Sequence, residues 1–184
     1  MSSLDIAPAR TALLVIDIQR DFAAHDGAMA RQGADMSDIA PAVERAQALV
    51  EAARAAKVFP VFSHVVAPDG VVGRVGTPGT DFVDPMPRAD ELVVSKPRYS
   101  IFPHTGLAET LKARGIDTLV LCGLTTECCI QSSAWDAFER GFQVVIASDA
   151  VAAYHPDLHR AVLQALELNG AILGSAATIA AAWK

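Results

Sequence analysis

The sequence predicts an α/β fold: a single domain over residues 1–184, three layers α/β/α, with a mostly parallel, doubly wound sheet of five or six strands. Three observations predict it. Short β-branched runs alternate with longer helical patterns along the chain. The strand runs are apolar at successive positions, as in strands buried on both faces. The 184 residues are 52% hydrophobic and 20% charged, enough for one sizeable core, with no linker, repeat or low-complexity segment to divide it.

Taken in order, residues 12–17 (ALLVID) read as the first strand. Residues 37–56 read as a helix, with Ile39, Val43, Ala46, Val50 and Ala53 at three- and four-residue spacing. Residues 58–64 form a second strand whose start is weakened by Pro60. Residues 67–88 carry many Gly, Pro and Asp without a period, a long loop of the kind that often serves function. A third strand (91–95) precedes a helix over 104–114 that Gly115 stops. A fourth strand (117–122, DTLVLC), a helix over 127–140 ended by Gly141, and a fifth strand (142–147) follow. Residues 156–168 form a helix with Pro at its first turn and Asn169-Gly170 at its end. A short sixth strand (171–173) and a final helix (176–182) close the chain. Such alternation implies a parallel sheet covered by helices on both faces.

Charge and cysteine usage narrow the function. A net charge of −6 and a pI near 5.3 exclude the basic face that a nucleic-acid partner needs. No apolar stretch is long enough for a membrane span, and residues 1–10 lack the pattern of a secretory signal. Three cysteines, Cys122, Cys128 and Cys129, cannot all pair. Their usage fits a reducing, cytoplasmic setting.

In a parallel sheet, ligands bind at the carboxyl ends of the strands. Asp17 ends the first strand, Lys96 follows the third, and Cys128 and Cys129 follow the fourth at a helix start. An acid, an amine and a thiol thus come to one edge. A helix start and a nearby ammonium favour the thiolate that attacks a carbonyl. A carboxylate in reach carries the proton from thiol to leaving nitrogen. Each residue alone has a plainer reading: turn cap, solvated amine, packing thiol. The conjunction carries the inference, and it leaves Cys128 and Cys129 unseparated. Cys122, inside a strand, reads as core.

The segment GLTTECCIQSSAWDAFERGF (residues 123–142) resembles the signature of the isochorismatase-like cysteine hydrolases. DIQRDF (17–22), KPRYSIF (96–102) and DAVAAYHPDLHRAVL (149–163, with His159) resemble further motifs of that family, in the same order. The resemblance implies a triad of Asp17, Lys96 and Cys129, which selects Cys129 over Cys128. It also implies a cis peptide between Leu124 and Thr125, and an oxyanion hole from the backbone N–H groups of Thr125 and Cys129. Gln19, Phe22, Tyr99, Phe102 and Leu124 become candidates for contact with the substrate, a small carboxamide or ureido compound. A dimer or tetramer is implied as well. The Asp-x-His metal motif of nicotinamidases is missing: the stretch reads Phe62-Ser63-His64-Val65, so no metal and no cofactor is expected. His64 and His104 are left without an assigned role. Arg74, Arg88 and Arg98 are candidates for a substrate carboxylate. Two competing readings are an isochorismatase-type vinyl ether hydrolase, which needs no thiol, and a catalytically silent binding module of the same fold.

Overall fold

The computed structural model describes Leu4 and residues 6–184; the other N-terminal residues, on which part of the leader reading rests, lie outside the described residues. In chain order the elements are β1 (Thr11–Ile16), α1 (Arg20–Ala23), α2 (Ala28–Arg31), α3 (Ile39–Ala55), β2 (Phe59–Val65) and β3 (Leu92–Lys96). Then come α4 (Leu107–Ala113), β4 (Thr118–Leu124), α5 (Gln131–Glu139), β5 (Gln143–Ala152), α6 (Pro156–Leu168), β6 (Ile172–Gly174) and α7 (Ala176–Ala182).

The six strands form one sheet in the order β3-β2-β1-β4-β5-β6, and every pair is parallel. Side chains of β1 divide between its faces by parity. Leu14 and Ile16 join Leu107, Leu111, Ala134 and Leu166 beneath α4, α5 and α6. Leu13 and Val15 join Leu49, Val50, Ala53 and Ile179 beneath α3 and α7. This two-sided burial explains the unbroken apolar run. Pro60 lies outside the β2–β3 ladder, which begins at Val61, so its missing N–H costs that ladder nothing.

The chain enters the sheet in the middle, winds outward to β3, and returns to build β4, β5 and β6 on the other side. Strand order therefore reverses between β1 and β4. At such a switch point the connections leave in opposite directions and open a crevice above the carboxyl ends.

Three details differ from the expected elements. The two four-residue helices α1 and α2 follow β1, too short to show a period. The helix expected over 127–140 is a wide turn, Thr126–Ile130, followed by α5. β5 runs to Ala152 because its register against β4 jumps, from Leu121 opposite Ile146 to Gly123 opposite Val151. The segment freed by that jump holds Asp149, whose Oδ1 accepts the Ala176 N–H (2.7 Å) at the start of α7.

Candidate active site

Asp17 follows β1 directly, at φ 51° in the left-handed region that Asp tolerates better than most residues. Its N–H donates to Ser63 O (3.0 Å) in the neighbouring strand, and its carboxylate is fully buried. Ser63 Oγ donates to Oδ1 (2.8 Å) and Lys96 Nζ to Oδ2 (2.6 Å), so both oxygens are satisfied. Lys96 is the last residue of β3, equally buried. Its ammonium also reaches the carbonyl oxygens of Arg98 and Tyr99 (2.9 Å each) and Cys129 Sγ (3.3 Å). The segment after Lys96 is fastened to α5, which fixes those carbonyls. Ser100 Oγ donates to Asp136 Oδ2 (2.6 Å), and the Ile101 N–H donates to Ser133 Oγ (3.1 Å).

Cys129 lies on the wide turn after β4. There Thr125 O accepts from the Cys128 N–H (3.1 Å) and from the Ile130 N–H (3.2 Å). The Leu124–Thr125 peptide is cis, as the resemblance implies. Gly123 precedes it at φ 113°, and a Cβ there would stand 2.1 Å from Ile16 O. Only glycine lets β4 pass β1 this closely. Thr126 Oγ1 meets His159 Nδ1 at 2.9 Å, which ties the turn to α6.

Burial pushes the Cys129 thiol well above its ordinary range, the Asp17 charge adds to that, and Lys96 opposes it. The thiol is thus raised beside the Asp17–Lys96 ion pair. Burial is the largest of these causes, ahead of the ammonium that was expected to favour the thiolate. Cys128 is raised as well, by burial and then by the charge of Glu127, and Cys122 is raised by burial in β4.

A cleft of about 340 Å³ opens on Cys129. Phe22, Met29, Val65, Val72, Tyr99 and Tyr154 form apolar walls, with Thr125 and Cys128 beside Cys129. Arg98 and Glu127 are its charged residues. Of the residues expected to touch substrate, Phe22 and Tyr99 line the cleft and three others do not. Gln19 is fully buried and grips Val65, its Oε1 accepting the Val65 N–H (2.7 Å) and its Nε2 donating to Val65 O (3.0 Å). Phe102 stacks on Phe142 in the core, ring centroids 6.1 Å apart. Leu124 is buried with Ile39, Ala152 and Tyr154. His104 stands on an exposed turn at φ 64°, away from the cleft. Of the arginines, Arg98 lines the cleft, whereas Arg88 pairs with Glu51 (3.5 Å) at the opposite end of the sheet.

The long loop meets the cleft at Ala67, Gly70 and Val72. It is wrapped around a residue that sequence reasoning missed. Asp21 is buried, its Oδ2 accepting the Gly73 N–H (2.9 Å) and its Oδ1 the Ala28 N–H (3.1 Å). Ser63, Tyr154 and Glu127 were missed too. Tyr154 donates its hydroxyl to Phe22 O (2.8 Å), joining the end of β5 to α1 across the cleft. The signal for Ser63 was a small polar residue in an otherwise apolar strand.

His64 does not fit a metal role. Its Nδ1–H donates to Thr80 O (3.2 Å), its Nε2 accepts from Ser95 Oγ (2.7 Å), and its ring stacks on Phe82 at 5.0 Å. Both nitrogens are thus engaged by protein. Among the described residues no group of three His, Cys, Asp or Glu side chains is placed to hold a metal ion.

Known proteins resemble this chain in sequence and fold. The family model of the isochorismatase domain matches residues 11–178. A ureidoacrylate amidohydrolase (RutB) of Methylobacterium radiotolerans is 33% identical over 191 aligned residues, 87% of this chain and 74% of that protein. A maleamate amidohydrolase of Pseudomonas putida is 43% identical over 70 residues, 38% of this chain and 33% of that protein. Among solved structures, a cysteine hydrolase from Pseudomonas syringae pv. phaseolicola superposes with a TM-score of 0.87 at 27% identity, covering 98% of this chain and 95% of that one. The matched span runs from the first residue of β1 into α7 and takes in every strand that carries the cleft. The chain belongs to the isochorismatase family of hydrolases.

Proposed function

We propose that the chain hydrolyses a C–N bond of a small carboxamide or ureido compound through a thioester on Cys129. One observation carries this reading: the buried Lys96 ammonium touches both Asp17 Oδ2 (2.6 Å) and Cys129 Sγ (3.3 Å), and Cys129 lines an open cleft. A thiol raised by burial and a carboxylate, both on one ammonium, suit an attack coupled to proton transfer.

Asp17 takes the Cys129 proton as Sγ bonds to the carbonyl carbon. The carbonyl oxygen becomes an oxyanion, held by the N–H groups of Thr125 and Cys129. The C–N bond breaks as Asp17 returns the proton to the leaving nitrogen. Water then adds to the thioester, with Asp17 accepting its proton, and the C–S bond breaks to restore the thiol. Lys96 holds its positive charge beside Asp17 throughout. Ureidoacrylate and maleamate, the substrates named for two relatives, each pair such a C–N bond with a carboxylate. Arg98, exposed at the cleft, supplies a matching charge here. The reading includes a cytoplasmic setting, where the three thiols stay reduced, and a homo-oligomer, dimer or tetramer, which size-exclusion chromatography tests.

The experiment is a screen of small amides, N-carbamoyl amino acids and ureides for ammonia release, with Cys129→Ala protein as control. Release that vanishes in the control supports the reading. Turnover of none of these classes by the unmodified protein would overturn it.

A further inference from the structure

The mechanism above leaves one charged group in the cleft without a task. Glu127 lines the wall two residues before the nucleophile, and its Oε2 is buried without a hydrogen-bond partner among the described residues. The protein's other buried carboxylates at this end of the sheet are satisfied. Asp17 has Ser63 and Lys96, and Asp21 has two backbone N–H groups. Glu127 as a whole is half-buried, and its other oxygen, Oε1, is neither enclosed in this way nor hydrogen-bonded among the described residues. Oε1 is therefore the acceptor that a donor on a ligand in the cleft can reach.

Sheet order fixes the side on which that donor must stand. Lys96 and Asp17 come from β3 and β1, on one side of β4. Glu127 belongs to the turn after β4 that Thr126 ties to His159 of α6, and it shares the cleft wall with Tyr154, two residues past the end of β5. Glu127 therefore flanks Cys129 on the β5 side, and Asp17 flanks it on the β1 side. A carbonyl carbon over Sγ has its leaving nitrogen toward Asp17, which must protonate it. Its other substituent points toward Glu127.

Resting on the proposed function, we infer that Glu127 is a specificity-determining residue that accepts an N–H from the substituent retained on the acyl carbon. The preferred substrate class is then ureido, with nitrogen on both sides of the carbonyl, rather than simple carboxamide. In the acylation step the C–NH2 bond breaks, Asp17 supplies the proton, and ammonia leaves. The retained nitrogen, its N–H on Glu127, stays in a thiocarbamate on Cys129. Water cleaves that C–S bond to give the free thiol and a carbamic acid, which loses carbon dioxide to leave the amine.

The test compares N-carbamoylglycine with succinamate, which differ only by NH or CH2 at the retained position. The unmodified protein is expected to favour N-carbamoylglycine in kcat/KM. In Glu127→Met the ratio of the two kcat/KM values is expected to fall about 30-fold, the loss of one hydrogen bond to a charged group. Glu127→Gln, which keeps an accepting oxygen, should recover most of that ratio. An equal fall for both compounds in Glu127→Met would assign Glu127 a structural role and overturn the inference. So would a wild-type preference for succinamate, which would leave the proposed function standing. Turnover of neither counts against the proposed function itself. Calorimetric binding of both compounds to Cys129→Ala protein, with and without Glu127→Met, then decides the inference separately: selective weakening of N-carbamoylglycine supports it, and equal binding of the two overturns it.

Discussion

The protein holds two shielded ion pairs at opposite ends of the same sheet, and they are finished differently. Near the amino ends, Arg54 binds Glu91 through two 2.7 Å contacts, reaches Met86 O at 2.9 Å, and meets Glu51 as well. Each guanidinium nitrogen there is answered within the protein, and a Phe62 ring lies beneath the guanidinium at 5.9 Å. Near the carboxyl ends, Lys96 and Asp17 are buried more deeply, yet besides Asp17 and two backbone carbonyls the ammonium also touches a thiol that faces a cleft. One pair is closed and fastens α3 to the start of β3. The other holds, under the proposed function, a thiol whose proton passes to Asp17. A buried ion pair therefore indicates function only when an unspent reactive group shares it.

Substitutions can break this contrast, and the largest effect is expected from Asp17→Asn. Turnover should fall about 10²–10⁴-fold with loss of the proton carrier. Alkylation of Cys129 by iodoacetamide should nevertheless become faster, because the Asp17 charge is one of the causes that raise the thiol. Slower alkylation, read by mass spectrometry, would contradict the electrostatic description. Lys96→Met should act in the opposite direction on the thiol, slowing alkylation at every pH. It should also lower stability by about 3–5 kcal/mol, because it strands a buried carboxylate; denaturant unfolding measures this.

A smaller and purely structural loss is expected at the other pair. Arg54→Met should cost about 2–3 kcal/mol of unfolding free energy, while kcat/KM of the folded fraction stays within about threefold. The pH dependence sharpens the point. Burial raises Glu91, but its bonds to Arg54 and to the Arg88 N–H leave it net below the ordinary value of 4.5. Its contribution is therefore present above about pH 4.5 and disappears as pH falls through the lowered folded value. Arg54→Met should remove that part of the acid-induced loss. The smallest effect is expected from Tyr154→Phe, which deletes the bond to Phe22 O: about 1 kcal/mol of stability, with KM moving more than kcat as the wall loosens.

The two regions also differ in how far the sequence reveals them. Asp17, Lys96 and the cysteine pair were legible because strand ends are marked by a change from apolar to polar residues, and parallel sheets gather those ends. The choice of Cys129 needed the motif spacing, since a wide turn leaves no period to read. Ser63 was not legible in its role on Asp17, nor was Val65 as the partner that the orienting Gln19 amide grips, because both contacts depend on strand pairing with a distant residue. Nothing in the sequence marks Glu127, at an expected helix start, as an acid with one oxygen enclosed and without a partner. The Arg54–Glu91 pair spans 37 residues and no motif announces it. The order of the sheet likewise depends on crossovers that local patterns do not encode, whereas the helix Pro156–Leu168 was bounded correctly by the Pro at its start and Asn169-Gly170 at its end, and Ala176–Ala182 also has the expected bounds.

The most direct measurement is intact-protein and peptide mass spectrometry on acid-quenched protein, taken while a substrate from the ammonia screen is turning over. An acyl adduct confined to Cys129, absent in Cys129→Ala protein that has also lost about 10³-fold or more in turnover, is the expected result. An adduct on Cys128, or near-normal turnover by Cys129→Ala, would contradict the assignment of Cys129 as nucleophile.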